Sequence, residues 1–463
     1  MKLSVAEYRA DTPLSTNRKI FRAAVVVGTF TVVAKVGATA KELVVARWFG
    51  RGDVLDAFLI AFLLPSFFVN LVAGSFHLAL IPTFIQVRET EGREAAQRLF
   101  SSVTALSLGI LVGLSILLGL TAPYYLRLLG SGFSPAKLAL TRDLTYLLLP
   151  IIVLGGLEGI LVAILNAEER FALPAFLPVV SSLLAVLSLF AAGKSLGIFA
   201  LALGTVVGQA VETVVLLWAL RRKGGWLGPR WTGMDPNMRQ VVGQYAALVA
   251  GSLLMGSTNL VDQSMAAMLD PGSVAALNYA NKLVSAISGT ATLALSSAAL
   301  PYFSQMVASQ DWKGCRHTLK TYFLFSVAAT VPVTLGLLLW SHPLIKILFQ
   351  RGAFTERDTN VVSATQAMFA IQIPFYVLGI LLTRVIASLK RNDLLMCGAL
   401  INLTLDIILN LVLMKFFGVA GIALSTSLVY IGASCYLTLW VLRLTGGKQL
   451  GPMGSVPSGG AQR

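Results

Sequence analysis

A long apolar stretch near the N-terminus decides the fold: IFRAAVVVGTFTVVAKVGATAKELVVARWF, residues 20–49. As a helix rising ~1.5 Å per residue, it is long enough to cross a bilayer. Yet it carries Lys35, Lys41 and Glu42 at membrane depth. A charged side chain in hydrocarbon is costly, so it persists only beside a partner or facing a water-filled cavity. The stretch therefore predicts a membrane-spanning helix that borders a polar, largely cationic chamber.

The composition of the whole chain indicates a membrane protein. Hydrophobic residues make up 56% of the 463 residues and charged residues 12%, against about 25% charged in a typical soluble chain. The net charge of +15 would suggest nucleic acid in a soluble protein, but most Lys and Arg lie in short segments between apolar spans. We therefore expect no nucleic-acid partner. The sequence shows no phosphate-binding loop, metal-ligand spacing or catalytic triad, so we expect no cofactor and no enzyme activity.

The apolar spans number about twelve, each long enough for a bilayer. With the N-terminus inside, the cytoplasmic segments carry 21 Lys and Arg and the opposite loops carry 10. Positive charge collects on the cytoplasmic side of membrane proteins, so both termini are predicted to be cytoplasmic. The fold class that follows is an all-α polytopic membrane protein. Its spans lie near residues 20–49, 54–85, 101–126, 143–166, 172–193, 197–220, 240–269, 273–304, 318–341, 360–388, 394–416 and 419–443.

Short sequences recur at a nearly constant distance of 219 to 224 residues. Six spans per copy would give both copies the same orientation, related by a pseudo-two-fold axis along the membrane normal, with the substrate site between them. The matched segments are ALIPTFIQ (79–86) with AALPYFSQ (298–305), PIIVLG (150–155) with PFYVLG (374–379), and GIFAL (197–201) with GIALS (421–425). The predicted parts are an N-terminal six-helix lobe (1–220), a cytoplasmic linker (221–239), a C-terminal six-helix lobe (240–443) and a disordered tail (444–463).

The charges of the first span allow two interpretations. Lys35 and Glu42 are seven residues apart and share a helix face, while Lys41 lies about a quarter-turn away. They could form a local Lys–Glu pair that neutralises itself. Three charges on one span favour the second interpretation, a cationic wall for an anion that crosses the cavity.

Polar stripes recur on spans seven, eight and eleven, and helix–helix hydrogen bonding is the alternative to a cavity for each of them. The stripes are Asn259, Asp262 and Gln263 on span seven, Asn278, Asn281 and Lys282 on span eight, and Asn402, Asp406 and Asn410 on span eleven. For Lys282 we favour the cavity. Asp262, Asp406 and Glu158 could each bind a coupling ion, H⁺ or Na⁺.

Two further charged residues lie in or beside apolar spans. Arg384 could pair with an acidic residue or face the chamber. Asp56, at the outer start of span two, could cap that helix or latch to a basic residue of the opposite half and so close an outer gate.

With these residues identified, the chain resembles the MviN/MurJ-type lipid II flippases of the multidrug/oligosaccharidyl-lipid/polysaccharide exporter superfamily. The resemblance implies two six-helix lobes in the bacterial cytoplasmic (inner) membrane that move a lipid-linked glycan pyrophosphate from the inner to the outer leaflet. Its most specific segments are AKVGATAKELVVARWFGRGDVLDAFLIAFLLP (34–65), LVAGSFHLALIPTF (71–84) and ILFQRGAFTERD (347–358).

The resemblance also assigns roles by position. The family's cavity cations fall on Lys35, Lys41 and Lys282, with Glu42 beside the first two, and its gate acid falls on Asp56. Each family arginine is a lysine here, which keeps the charge but loses bidentate phosphate recognition. The predicted substrate-binding set comprises these lysines, Lys35, Lys41 and Lys282, together with Asn281 from the polar stripe of span eight and Arg384.

Departures from the family pattern leave the cargo open. Val69 and Asn70 stand where the family has a basic pair, AGSF (73–76) lacks the family's acid, and the chain has twelve spans rather than fourteen. The predicted function is a flippase that moves lipid II or a related lipid-linked cell-envelope precursor by alternating access, and these differences leave room for another cargo, such as an exopolysaccharide repeat unit. The remaining alternatives are a cation-coupled drug or metabolite exporter, a membrane-embedded glycan transferase and a transport-inactive scaffold.

Overall fold

The computed structural model describes residues 13–222 and 228–445, and all regular secondary structure in these residues is α-helical. Three candidate spans each consist of two consecutive helices: α4 with α5, α6 with α7, and α12 with α13. The helices are α1 (Pro13–Phe49), α2 (Asp53–Thr90), α3 (Arg93–Leu129), α4 (Pro135–Leu148), α5 (Pro150–Ala167), α6 (Ala172–Phe176), α7 (Pro178–Leu196), α8 (Ile198–Arg221), α9 (Pro236–Ala266), α10 (Ser273–Ala308), α11 (Trp312–Phe349), α12 (Glu356–Ala370), α13 (Gln372–Ser388), α14 (Asn392–Phe417) and α15 (Val419–Thr445).

Nine of these segments, counted over the described residues, are long and apolar enough to cross a membrane. The other three are α1, α9 and α10, on which the sequence places the Lys–Glu group and two of the polar stripes. The predicted fold class, an all-α polytopic membrane protein, is confirmed.

Proline explains where several of these helices begin or bend. α5 begins at Pro150 and α7 at Pro178, in the first turn, where a missing backbone N–H costs no hydrogen bond. Within α11 the backbone leaves the helical region at Trp340 (φ −109°, ψ 16°), three residues before Pro343. Each break falls where the proline ring prevents the preceding turn from continuing as a regular helix.

The backbone itself repeats along the chain. Glu169 and Lys390, which follow α5 and α13, have φ of 61° and 56° and lie 221 residues apart. Gly197 and Gly418, between α7 and α8 and between α14 and α15, have φ of 56° and 55° at the same spacing. A left-handed φ is uncommon outside glycine, so its recurrence supports an internal repeat. It also corrects the predicted match of GIFAL with GIALS by three residues, because Gly197 corresponds to Gly418.

The chain forms two compact units. Unit 1 comprises Met1–Gly256, Asp270–Ala275 and Arg351–Thr355, so two short segments that the sequence places in the C-terminal lobe group with the N-terminal helices. Its core consists of apolar side chains from α2, α3, α5 and α8. α7 and α8 pack closely through small residues, as is common in membranes. A Cβ added at Gly204 would lie 2.9 Å from the Ala185 Cα.

Unit 2 comprises Ser257–Leu269, Ala276–Gln350 and Glu356–Arg463. Its core includes Phe303, Leu381 and Val385, on α10 and α13. α15 continues to Thr445, and the rest of the predicted tail lies outside the described residues, as do residues 223–227 of the linker.

Candidate functional site

Unit 2 contains a polar, partly open cavity of about 330 Å³. α9 and α10 supply most of its walls, and α12, α13 and α15 complete it. A cavity lined by amides, hydroxyls and charges inside an apolar helix bundle can hold water or an ion where lipid cannot enter. The polar lining residues are Thr258, Asn259, Asp262, Gln263, Asn278, Asn281, Lys282, Ser285, Ser288, Gln372, Tyr376, Thr426 and Tyr430.

A buried carboxylate network forms one side of this cavity. Asn410 Nδ2 donates to Asp262 Oδ1 at 2.7 Å and to Asp406 Oδ2 at 3.4 Å, and Thr426 Oγ1 donates to Asp262 Oδ2 at 3.2 Å. The carboxyl groups of Asp262 and Asp406 are bridged by the Asn410 amide and lie within interaction distance of each other. Such proximity favours a proton shared by the two groups, because two bare carboxylates repel.

The network has one open position. Asn410 is fully buried, and its Oδ1 has no hydrogen-bond partner within the described part of the chain. An unpartnered buried carbonyl oxygen beside two carboxyl groups and a hydroxyl is an oxygen-rich set of the kind that hard cations prefer. The geometry can therefore hold a proton or, with small side-chain shifts, a monovalent cation.

The polar stripe of α10 forms another side of the cavity. Asn278 Nδ2 donates to Gln263 Oε1 at 2.9 Å, which joins the stripes of α9 and α10 by the helix–helix hydrogen bond considered as the alternative. Asn281 and the exposed Lys282 line the same cavity. The two alternatives thus coexist, because the stripe both joins helices and faces a cavity.

The charges of the first span lie in unit 1. Lys35 is exposed on α1, and Lys41 Nζ lies 3.5 Å from Glu42 Oε1, with both side chains partly buried. The local Lys–Glu pair is therefore formed by Lys41 rather than by Lys35. A common chamber for Lys35, Lys41 and Lys282 stays a prediction.

Asp56 lies in the first turn of α2, and its side chain also contacts a second helix. Its side chain is buried, and its carboxylate accepts hydrogen bonds from the backbone N–H groups of Gly272 (2.7 Å) and Ala275 (2.8 Å). These donors lie at the N-terminal end of α10, one just before it and one in its first turn, so Asp56 supplies a capping acceptor for a distant helix end. Its basic partner is Lys137 (2.9 Å), on α4 of the N-terminal half, which also contacts Asp53 at 2.6 Å.

Arg384 and Glu158 are also absent from the cavity lining. Arg384 is half-buried on α13. Glu158 belongs to α5 of unit 1, where its carboxylate accepts a hydrogen bond from the side-chain amide of Gln209.

Sequence reasoning missed several residues of these networks. Thr426, Gln372 and Tyr430 line the cavity but are single polar residues within apolar runs. A single hydroxyl or amide within an apolar run could indicate a residue that lines a cavity. The indication is weak, because such residues also occur in ordinary helix packing.

Comparisons with known proteins point to one family. The family model described as lipid II flippase MurJ matches residues 45–452. A probable lipid II flippase MurJ of Synechocystis sp. is 28% identical over 94% of this chain and 84% of its own length. The lipid II flippase MurJ of Burkholderia cenocepacia is 25% identical over 88% and 80%.

The fold is shared with solved transporter structures. A lipid II flippase MurJ in an inward closed conformation superposes with a TM-score of 0.78 at 23% identity, covering 90% of this chain and 87% of that one. An inward-facing multidrug resistance MATE family transporter gives 0.71 at 12% identity over 91% and 98%. Because the family model covers most of the sequence, the chain belongs to the MurJ lipid II flippase family.

Proposed function

We propose that this protein carries lipid II, a polyprenyl-pyrophosphate glycan, from the inner to the outer leaflet of the bacterial cytoplasmic membrane. The observation that carries the proposal is the family match over residues 45–452. It favours lipid II over the other lipid-linked glycans that Val69 and Asn70 suggested. Transport of this kind needs a polar passage for the headgroup while the lipid tail stays in the bilayer.

The proposed substrate contacts are cationic. Lys282 and Asn281 line the unit 2 cavity, and Lys35, Lys41 and Arg384 complete the proposed set. A pyrophosphate needs positive charge or hydrogen-bond donors once it leaves water. Lysine ammonium groups supply charge without a fixed bidentate geometry, so the site would hold phosphates as point charges. Asp56 and Glu42 are proposed to gate access to them.

Reconstituted proteoliposomes test the cargo directly. Fluorescent lipid II is placed in the membrane, and its appearance in the outer leaflet is followed with a membrane-impermeant reagent. We expect transport of lipid II and weaker transport of a polyprenyl-pyrophosphate sugar that lacks the peptide. Equal or faster transport of the peptide-free lipid would contradict lipid II as the preferred cargo.

A lysine series tests the point-charge mechanism. Lys282→Gln should lower transport at least tenfold, while Lys282→Arg should retain most of it, because the charge is kept. Lys194→Gln, near the C-terminal end of α7, is the control for loss of a lysine outside the proposed site. Equal activity of Lys282→Gln and the wild type would remove Lys282 from the substrate site.

We further propose that transport is coupled to Na⁺, which replaces the proton shared by Asp262 and Asp406. The buried, unpartnered Oδ1 of Asn410 and the hydroxyl of Thr426 are the neutral oxygens that support the proposal. A bound ion stabilises a protein by about 2.7 kcal/mol when its concentration is one hundred times the Kd. Na⁺ should therefore raise the thermal unfolding temperature of the wild type at constant ionic strength.

The matched variants are Asp406→Asn and Asn402→Asp. Asp406→Asn should abolish the Na⁺ effect, because it removes one of the two carboxyl groups. Asn402→Asp adds a carboxyl one turn away, outside the network, and should leave the effect in place. An equal stabilisation by K⁺ and Na⁺, or a Na⁺ effect retained in Asp406→Asn, would exclude this site.

Both termini and the linker are proposed to be cytoplasmic, on the strength of the Lys and Arg distribution. A cysteine at Met234, exposed in the linker, tests this in a background where the three native cysteines are replaced. An impermeant maleimide should label Met234→Cys in inside-out vesicles and not in intact cells. Labelling in intact cells would show that the linker lies outside and would contradict the proposed orientation.

A further inference from the structure

Unit 1 contains a second pair of buried carboxyl groups, separate from the cavity of unit 2. Glu158 lies on α5 and Glu212 on α8, both within candidate membrane spans. The two helices pack against each other, and the carboxyl groups lie within interaction distance of each other. Glu212 is 3% exposed, whereas Glu158 is partly accessible. Such proximity of two carboxyl groups again favours a shared proton.

The surroundings hold the pair in place without neutralising it. The Gln209 amide donates to Glu158 Oε2, and Ser181 on α7 lies beside Glu212. One oxygen, Glu212 Oε1, is buried with no partner in the described residues. If Glu212 were ionised, Oε1 would be a charged oxygen buried without a hydrogen bond, which is costly. If Glu212 is protonated, Oε1 is a neutral oxygen and the cost is smaller.

The charged groups on the neighbouring helices do not supply a counter-ion. Helices α2, α3, α4 and α7 pack against α5 or α8, and His77 of α2 has a side chain outside the described residues. Within the described part of these helices, we find no ion pair to Glu158 or Glu212, and the polar contacts of the pair come from Gln209 and Ser181. The titratable residues on these elements are Asp53, Asp56, Arg88 and Glu89 on α2; Arg93, Glu94, Arg98, Tyr124, Tyr125 and Arg127 on α3; Lys137, Arg142, Asp143 and Tyr146 on α4; Lys194 on α7; and Arg221 on α8.

Close helix packing around the pair disfavours a metal ion. A Cβ at Gly208, one turn before Glu212, would lie 2.9 Å from the Ser181 Cα, so α7 and α8 are nearly in backbone contact. On the other side, Thr213 Oγ1 reaches the Leu154 carbonyl of α5 at 3.2 Å. A cation needs several oxygen ligands at once, whereas a single proton needs only the two carboxyl groups.

We propose that Glu158 and Glu212 form a proton-binding site in the N-terminal half of the protein. In the bound state one carboxylic acid donates to the other group's carboxylate, and the pair carries one negative charge. Release passes the proton to water through the partly accessible Glu158 and leaves two carboxylates, which repel and separate. The site binds H⁺ alone, in contrast to the oxygen-rich cavity network of unit 2.

Infrared difference spectroscopy of the purified protein tests the proposal, because a protonated carboxyl has a carbonyl stretch apart from the amide bands. The wild type should show such a band, and the band should disappear as the pH is raised. Part of it belongs to Glu158 and Glu212, and Na⁺ should not remove that part. Glu212→Gln should lose that part, since glutamine mimics the protonated acid. Glu158→Gln should do the same and serves if Glu212→Gln does not fold. Signals from Asp262 and Asp406 cancel when each variant is compared with wild type.

The control is Glu94→Gln, which removes an exposed acid from the first turn of α3 and should leave the band unchanged. Thermal unfolding gives a second readout: Glu212→Gln should flatten the loss of stability that wild type shows as pH rises. The proton site would be overturned by a band that is unchanged in the folded Glu212→Gln and Glu158→Gln variants. Removal by Na⁺ of the part of the band that belongs to the two glutamates would overturn it as well. Neither measurement uses a lipid substrate, so the outcome is independent of the proposed transport function.

Discussion

Replacement of Asp56 should be among the most damaging single substitutions in unit 1. Its carboxylate is 1% exposed and receives three hydrogen bonds of 2.7 to 2.9 Å, from Gly272 N, Ala275 N and Lys137 Nζ. Alanine at this position removes all three acceptor contacts. It leaves two backbone N–H groups of a helix terminus without partners.

The size of the effect follows from these contacts. A hydrogen bond to a charged group contributes about 1.5–3 kcal/mol, and removal of one member of a buried ion pair costs about 3–5 kcal/mol. Lys137 keeps Asp53 at 2.6 Å, so its ammonium group retains one partner. We therefore expect Asp56→Ala to cost about 3–5 kcal/mol of unfolding free energy rather than the sum of all three bonds.

The neighbouring residues give a ranked control series. Lys137→Met leaves Asp56 with its two backbone donors and should cost about 2–3 kcal/mol. Asp53 is 56% exposed at its side chain, so Asp53→Asn should cost at most about 1 kcal/mol. Denaturant unfolding in mixed micelles measures the three values. A cost for Asp56→Ala no greater than that for Asp53→Asn would refute the argument.

Further predictions concern packing, substrate charge and thiol exposure. Gly204→Ala should destabilise by about 1–3 kcal/mol through contact with α7, whereas Gly113→Ala, whose Cβ meets open space, should be neutral or stabilising in the same unfolding assay. Raised salt should slow lipid transport by the wild type more than transport by Lys282→Gln, because salt screens a charge that is exposed to water. Equal salt sensitivity of the two proteins would contradict this. The buried Cys315 should react with a membrane-permeant maleimide only after unfolding, and the exposed Cys397 before it.

Hydropathy was sufficient to predict the helices and the class of fold. Apolar runs of bilayer length have few structural alternatives, because every backbone polar group must be satisfied within the segment. The polar stripes were also visible, since residues three and four apart share a helix face. Lys282 and Asn281 were placed on one stripe by that rule, and both line the cavity.

The partners across helices could not be predicted in the same way. Thr426 reaches Asp262 from 164 residues away, and Gly272 reaches Asp56 from 216 residues away. Helix periodicity gives the face of each residue but not which face of another helix it meets. For Asp56 the sequence left open a cap of its own helix and a latch to a basic residue, and it did not indicate the contact with the N-terminal end of α10.

The two carboxyl pairs lie at positions that do not correspond to each other in the internal repeat of the backbone. The turn residues repeat at a spacing of 221 residues, but Glu158 and Glu212 lie on α5 and α8, whereas Asp262 and Asp406 lie on α9 and α14. The two pairs are therefore not copies of one repeated motif. Asp262 borders a cavity of about 330 Å³ that leaves room for an ion and its ligands. Glu212 is instead enclosed where α7 and α8 nearly touch. Since space and oxygen ligands decide between a cation and a proton, the same chemical group can bind different ions in the two halves.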